Sequence, residues 1–156
     1  MKSDSVGLET MRHSAAHVMA AAVRRLWPDA LFDIGPETDE GFYYDFDLKH
    51  RLTVEDFPAI EAEMAKIVAE NAPFVREEKT RAEVLEMMKA RGQKYKLERL
   101  ADIPEGETIS LYHSGDFTDL CRGPHVPSTG AIKAFKLTSV AGAYFRGDEK
   151  NQMMQR

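Results

Sequence analysis

Two pairs of residues carry the chemistry that this sequence can offer: His13 with His17, and Cys121 with His125. His13 and His17 stand four residues apart in a stretch of helical periodicity, so both imidazoles project from one side of a helix and can meet one ligand. Alone, such an H-x-x-x-H is more often a pair of surface or hydrogen-bonded histidines than a site. The metalloprotease form needs glutamate directly after the first histidine, and Ser14 stands there instead. The second pair lies in Cys121-Arg122-Gly123-Pro124-His125, where glycine and proline impose a bend that can bring thiol and imidazole to one point. Two histidines from a helix with a cysteine and a histidine from a turn have the ligand types and number of a tetrahedral zinc site. They suit a metal-free hydrolytic pocket equally well. Zinc would take Cys121 as thiolate and the rings as neutral ligands, whereas a metal-free site leaves histidines free as bases or donors. The spacing leaves both states open. His50, in a loop flanked by Lys49 and Arg51, and His113, beside Ser114-Gly115, show no partner spacing and read as surface residues.

The elements that must position these groups follow from periodicity and punctuation. Leu8, Met11, Ala15, Val18, Ala22 and Leu26 recur at intervals of three and four, which predicts a helix ended by Trp27-Pro28. Ala30 to Gly35 and Gly41 to Asp47 predict a hairpin about Pro36-Glu37-Thr38-Asp39-Glu40. Its aromatics Phe42, Tyr43, Tyr44 and Phe46 put ring surface on both faces. Thr53 and Asp56 form a capping-box variant for a second helix running to about Asn71, with Phe57, Ile60, Met64 and Ile67 as its buried stripe. Ala72 to Lys79 predicts a strand, and Thr80 with Glu83 caps a shorter helix that Gly92 stops, with Val84, Leu85 and Met88 facing inward. Three further strands are expected around Thr108 to His113, Ile132 to Thr138 and Gly142 to Arg146. Without regular βαβ alternation, the pattern predicts an α+β fold with helices packed on a largely antiparallel β-sheet. The 156 residues form a single domain, with room for a small helical appendage within 80–100.

Composition narrows the function classes. Hydrophobic residues at 43% and charged residues at 30% are ordinary globular values and exclude a disordered chain. One cysteine excludes an intramolecular disulfide framework and fits a reducing compartment, so a cytoplasmic location is expected. No apolar run approaches bilayer-spanning length, and Met1 to Arg12 lacks a signal-peptide core. A net charge of −5 argues against indiscriminate nucleic-acid binding. Lys89, Arg91, Lys94, Lys96 and Arg99, with Arg24 and Arg25, could still form a local basic face, although such residues usually decorate a solvated surface.

Six segments occur in a telling order: Arg12-His13-Ser14-Ala15-Ala16-His17, Ile34-Gly35-Pro36, Gly41-Phe42-Tyr43-Tyr44-Asp45, Tyr95-Lys96, Asp119-Leu120-Cys121-Arg122-Gly123-Pro124-His125, and Ala141-Gly142-Ala143-Tyr144-Phe145-Arg146-Gly147-Asp148. As a series they resemble the N-terminal editing domain of bacterial-type threonyl-tRNA synthetases, from Gly7 to Arg156. Alanyl-tRNA synthetases and their freestanding editing relatives share related half-motifs, but Gly-Phe-Tyr-Tyr-Asp and Cys-Arg-Gly-Pro-His favour the threonyl branch. Asp33 departs from the family pattern, in which a small apolar residue precedes Ile34-Gly35-Pro36. It would either alter the pocket's polarity or point to the opposite face.

The resemblance implies the second additional (editing) domain type of fold, and hydrolysis of mischarged seryl-tRNA(Thr) with rejection of threonyl-tRNA(Thr). Serine lacks only a methyl of threonine, worth roughly 1–3 kcal/mol of discrimination in one pocket, so a second, smaller sieve is needed. The implied catalytic residues are His13, Lys96, Asp119 and Cys121, with His13 and Lys96 ordering and activating water. His17, Gly35, Tyr44 and His125 are the implied substrate-binding residues. Cys121 is expected to line the pocket rather than attack covalently, because the family chemistry is water attack. No cofactor is required; zinc is possible, on His13, His17, Cys121 and His125. The implied partner is the acceptor end of tRNA(Thr) carrying serine, without a membrane. In a full-length synthetase the aminoacylation and anticodon-binding domains would join it, and no aminoacylation core is expected in this chain. Two alternatives stand beside this reading: a noncatalytic tRNA acceptor-end binding module, and a zinc-dependent alanyl-type trans-editing deacylase.

Overall fold

The fold is that of a computed structural model, which describes residues 2–132 and 134–156, with side chains from Gly7 onward. Helix α1 (Lys2–Leu26) is the central element. Between Ser14 and Val23 almost every side chain is buried, and five of them are alanines, which let neighbours approach closely on several sides. The helix ends before Trp27-Pro28, as the proline requires. Helix α2 (Phe57–Glu70) buries Ile60, Met64 and Ile67, and these join the cluster that contains Ala15, Val18 and Ala22 of α1. A short 3-10 turn (Val54–Asp56) precedes α2, with the Thr53 amide donating to Asp56 Oδ2 at 2.9 Å. Asn71, in left-handed backbone at φ 50°, closes α2 at the expected place.

Strands β1 (Leu31–Phe32) and β2 (Phe46–Asp47) pair antiparallel, and the Glu37–Phe42 bridge extends the hairpin toward its tip. With β6 (Gly142–Tyr144) and β7 (Met153–Gln155) they make a sheet in the order β1-β2-β7-β6. Strand β3 (Val75–Lys79) pairs with β4 (Ile109–Ser114), and β4 with β5 (Phe117–Leu120), to give a second sheet. Every pairing is antiparallel, and helices pack on the sheets, in accord with the expected α+β class. Helices α3 (Arg81–Ala90) and α4 (Lys94–Asp102) supply Val84, Met88 and Leu100 to a second cluster with Ile109 and Leu111 of β4. Thr80 and Glu83 cap α3 reciprocally, and Gly92, at φ +66°, lets the chain turn out of it.

Four elements differ from expectation. The described part of Ile132 to Thr138 is not a strand, and Lys133 lies outside the described residues. Leu137 spends its amide on Glu61 Oε2 at 2.8 Å instead of on a sheet neighbour, while Phe135 and Leu137 pack on the main core. Helix α4 and strands β5 and β7 were not anticipated as elements. Helix α4 turns polar groups inward and is docked by them: Arg99 pairs with both Asp33 oxygens at 2.7 and 2.9 Å, and Tyr95 donates to Asp47. Strand β5 follows a two-residue turn, Gly115-Asp116, with Gly115 at φ +59° as such hairpins require.

Candidate functional site

Helix α1 and the turn after β5 bring the two residue pairs together. Ser14 is wholly buried, and its Oγ accepts the Val126 amide at 3.0 Å and lies 2.9 Å from His125 Nδ1. From the other side, buried Thr129 donates to Ile67 O at 2.7 Å and accepts from the Ala72 amide, tying the segment after the turn to the end of α2. His125 is stacked between two rings, with centroids 4.6 Å from both His13 and Phe74. Cys121 Sγ lies 3.0 Å from His13 Nε2 and 3.4 Å from His125 Nε2, and accepts the Gly123 amide at 3.2 Å. At Gly123, φ is +74° and a Cβ would stand 2.3 Å from the Tyr112 hydroxyl, so only glycine fits this corner.

The back wall is a buried polar array. Lys96 Nζ donates to Asp33 O at 2.5 Å and to the Tyr44 hydroxyl at 3.0 Å, and lies 2.6 Å from Asp119 Oδ1 in an ion pair. Tyr44 donates in turn to Asp119 Oδ2 at 2.9 Å. The Tyr44 ring is able to lie there because position 35 is glycine: a Cβ on Gly35 would fall 2.1 Å from Tyr44 Cδ2. His17 Nε2 lies 3.2 Å from Ser114 Oγ, and its Nδ1 faces Asp119 Oδ2 at 4.0 Å. His13, His17, Gly35, Tyr44, Lys96, Asp119, Cys121 and His125, all eight expected site residues, line one cavity of about 220 Å³, which Glu37 also borders.

Burial sets the charge states. It pushes the Cys121 thiol up to about 12, with Asp119 adding to the rise, so the sulfur is protonated at neutral pH. Burial likewise lowers His17 to about 4, against the opposing pull of Asp119, and lowers His125 to about 3, assisted by His17 and His13. Both rings are therefore neutral donors and acceptors near pH 7. For Asp119, burial works to raise the pKa, but Lys96 and then His17 outweigh it and hold the carboxyl below its ordinary value. Burial and then Asp119 raise the Tyr44 hydroxyl well above its usual range.

Of the four residues that zinc could use, three are arranged to share one ion. His13, Cys121 and His125 each offer a ligand atom, all within 4.8 Å of one another, whereas His17 is turned to Ser114 and Asp119. The trio fits a zinc ion held by three protein ligands with an open fourth position, where the ion would polarise a carbonyl or a water.

Other expectations about charged residues resolve as follows. Asp33 faces α4 and Arg99 rather than the cavity. Of the residues that could have formed a basic face, three are paired with carboxylates: Lys96 is buried on Asp119, Arg99 is held by Asp33, and Arg25 by Glu70 and Glu63. His50 stacks on Trp27 and pairs with Asp56, and His113 lies between Thr118 and Glu77, so both partly exposed rings have partners. Ser14, Ser114 and Glu37 are site residues that spacing alone did not single out. Ser14 had one available signal, since a polar residue on the buried face of an apolar helix calls for a buried partner.

Residues 109–156 match the family described as the threonyl and alanyl tRNA synthetase second additional domain. The chain is 57% identical to a threonine–tRNA ligase of Clostridioides difficile over 98% of its length, covering 24% of that protein. It is 57% identical to that of Nitratidesulfovibrio vulgaris over 96% of its length, covering 23% of the relative. Threonine–tRNA ligase 1 of Bacillus subtilis is 56% identical over 96% of the chain, which again covers 23% of the relative. The chain thus spans about a quarter of the length of the relatives it matches.

Proposed function

From the match of residues 109–156 to the threonyl and alanyl tRNA synthetase second additional domain and the 57% identity to a segment of a threonine–tRNA ligase, we propose that the chain edits mischarged tRNA, hydrolysing seryl-tRNA(Thr) and sparing threonyl-tRNA(Thr). The observation that carries this reading is the convergence of an imidazole, a thiol and a buried Lys–Asp–Tyr array on one small cavity. Ester hydrolysis needs a group to take the proton of water, a polar wall to order that water, and a proton for the departing ribose hydroxyl. His13 supplies the first and last of these from the solvent-facing side, where its side chain is 21% exposed. Lys96 and Asp119 fix the polar wall, and Cys121 remains a protonated lining group rather than a nucleophile. His17, Tyr44 and His125 hold the seryl group and the terminal adenosine. The buried Tyr44 ring, packed against Gly35, is the wall to which this reading assigns exclusion of threonine's methyl.

The activity is expected in the cytoplasm, on the acceptor end of tRNA(Thr), with the synthetase's other domains completing the whole enzyme. Deacylation of Ser-tRNA(Thr) beside Thr-tRNA(Thr), under single-turnover conditions, tests the catalysis and the sieve together. Rapid release of serine and slow release of threonine is the expected result. Equal rates refute the sieve, and binding without release turns the chain into an acceptor-end binding module. The His13–Cys121–His125 cluster favours a second reading, a zinc-dependent deacylase. That reading gains if a chelator abolishes hydrolysis and zinc restores it.

A further inference from the structure

Five contacts run in line through the site, and both ends of the line have a fixed direction. At the inner end the Val126 amide can only donate, and it does so to Ser14 Oγ at 3.0 Å. From Ser14 Oγ the line continues over 2.9 Å to His125 Nδ1, from His125 Nε2 over 3.4 Å to Cys121 Sγ, and from Sγ over 3.0 Å to His13 Nε2. At the outer end, His13 Nδ1 is buried and makes no hydrogen bond of good geometry, and the carboxylate oxygen Glu37 Oε2, which when ionised can only accept, lies 3.3 Å from it at the cavity's edge. Each inner member has one proton to pass outward: a hydroxyl, an N–H, a thiol and a second N–H. Asp119, the cavity's other carboxylate, is committed to Lys96 and Tyr44.

We propose that Glu37 is a positioning residue that fixes His13 as the Nδ1–H tautomer, leaving the Nε2 lone pair facing Cys121 and the cavity. A neutral imidazole carries one N–H, so donation from Nδ1 to Glu37 makes Nε2 the acceptor, which takes the Cys121 thiol hydrogen when no substrate is present. In the hydrolysis proposed above, on which this role rests, a water replaces that thiol hydrogen at Nε2. Its oxygen bonds to the ester carbon as one of its protons moves to Nε2. The same proton then passes to the ribose oxygen as the C–O bond breaks. Serine leaves as a carboxylate, its remaining acid proton goes to solvent, and the ribose regains its hydroxyl. Glu37 keeps the ring aligned throughout, as a carboxylate does behind a catalytic imidazole.

Long-range 1H–15N NMR correlations on the chain report the tautomer of each ring. His13 is expected to show a protonated Nδ1 and a bare Nε2, and Glu37→Val is expected to lose that preference. Valine suits the extended backbone at the Glu37–Phe42 bridge. In Ser-tRNA(Thr) deacylation, Glu37→Val is expected to lower kcat about 10-fold, the lower range for loss of an orienting partner, and to leave KM within about twofold. A bare Nδ1 on His13 in the unaltered chain overturns the proposal, as does a Glu37→Val chain that keeps both tautomer and kcat. Should no Ser-tRNA(Thr) be hydrolysed by any form, the proposed function fails while the tautomer measurement still decides what Glu37 does.

Discussion

Acidification should destabilise this protein well above the pH at which its carboxylates titrate, and two buried rings set the amount. In the unfolded chain His17 and His125 take up protons near pH 6.5, whereas folded they resist protonation until about 4 and about 3. A group whose folded pKa is depressed contributes its full stability above the unfolded value, and loses it as the pH falls toward the folded value. At pH 5 the unfolded form of each ring is almost fully charged while the folded form stays neutral. The difference is about 2 kcal/mol per ring, or about 4 kcal/mol together relative to pH 7. That is a large part of the 5–15 kcal/mol that typically holds a domain folded. His17 is surrounded by Asp119, His13, Lys96 and His113, and the net effect of burial and these neighbours is downward. Urea unfolding followed by circular dichroism at pH 7 and pH 5 measures the loss. In His125→Asn the loss should shrink by roughly half, because one of the two linked groups is gone. A stability that changes by less than about 1 kcal/mol between the two pH values would refute the reasoning.

Three substitutions probe the rest of the site. Lys96→Met should cost about 3–5 kcal/mol in urea unfolding, because it strands the buried Asp119 carboxylate, and adding Asp119→Leu should recover much of that loss. Gly35→Ala drives a methyl into the Tyr44 ring, and should cost about 1–3 kcal/mol in thermal unfolding and depress Ser-tRNA(Thr) hydrolysis with it. Asp33→Asn weakens the charge-assisted pairing with Arg99 and should cost about 1–3 kcal/mol. Because that carboxylate faces α4, the ratio of serine to threonine release should not change.

The sequence made plain those parts whose local chemistry agrees with their tertiary role. Helix α1, its stop at Trp27-Pro28, and the two capping pairs at Thr53 and Thr80 were legible because proline geometry and side-chain caps act within a few residues. Helix α4 was hidden because its inward side carries Lys96 and Arg99, which read as a solvated basic stretch until Asp119 and Asp33 are seen opposite them. No side-chain cap marks its start at Gln93 either. The segment after Ile132 has β-prone residues, yet its Leu137 amide goes to a glutamate on α2, a choice that only the packed fold offers. Within the site, residue types announced His13, His17, Cys121 and His125, but not which of them share a ligand. That depended on Ser114 drawing His17 aside and on Ser14 turning His125 toward the thiol.

The contact between His13 and Cys121 joins residues 108 positions apart, the first on the opening helix and the second beyond the fifth strand. During synthesis α1 leaves the ribosome before the turn that completes the cavity, so its two histidines precede Cys121 and His125. A nascent chain that has reached only β4 therefore carries His13 and His17 without the cavity they line. The cavity assembles only when the segment carrying Cys121 and His125 closes on α1, a long-range contact whose loop must be shut before it is rewarded.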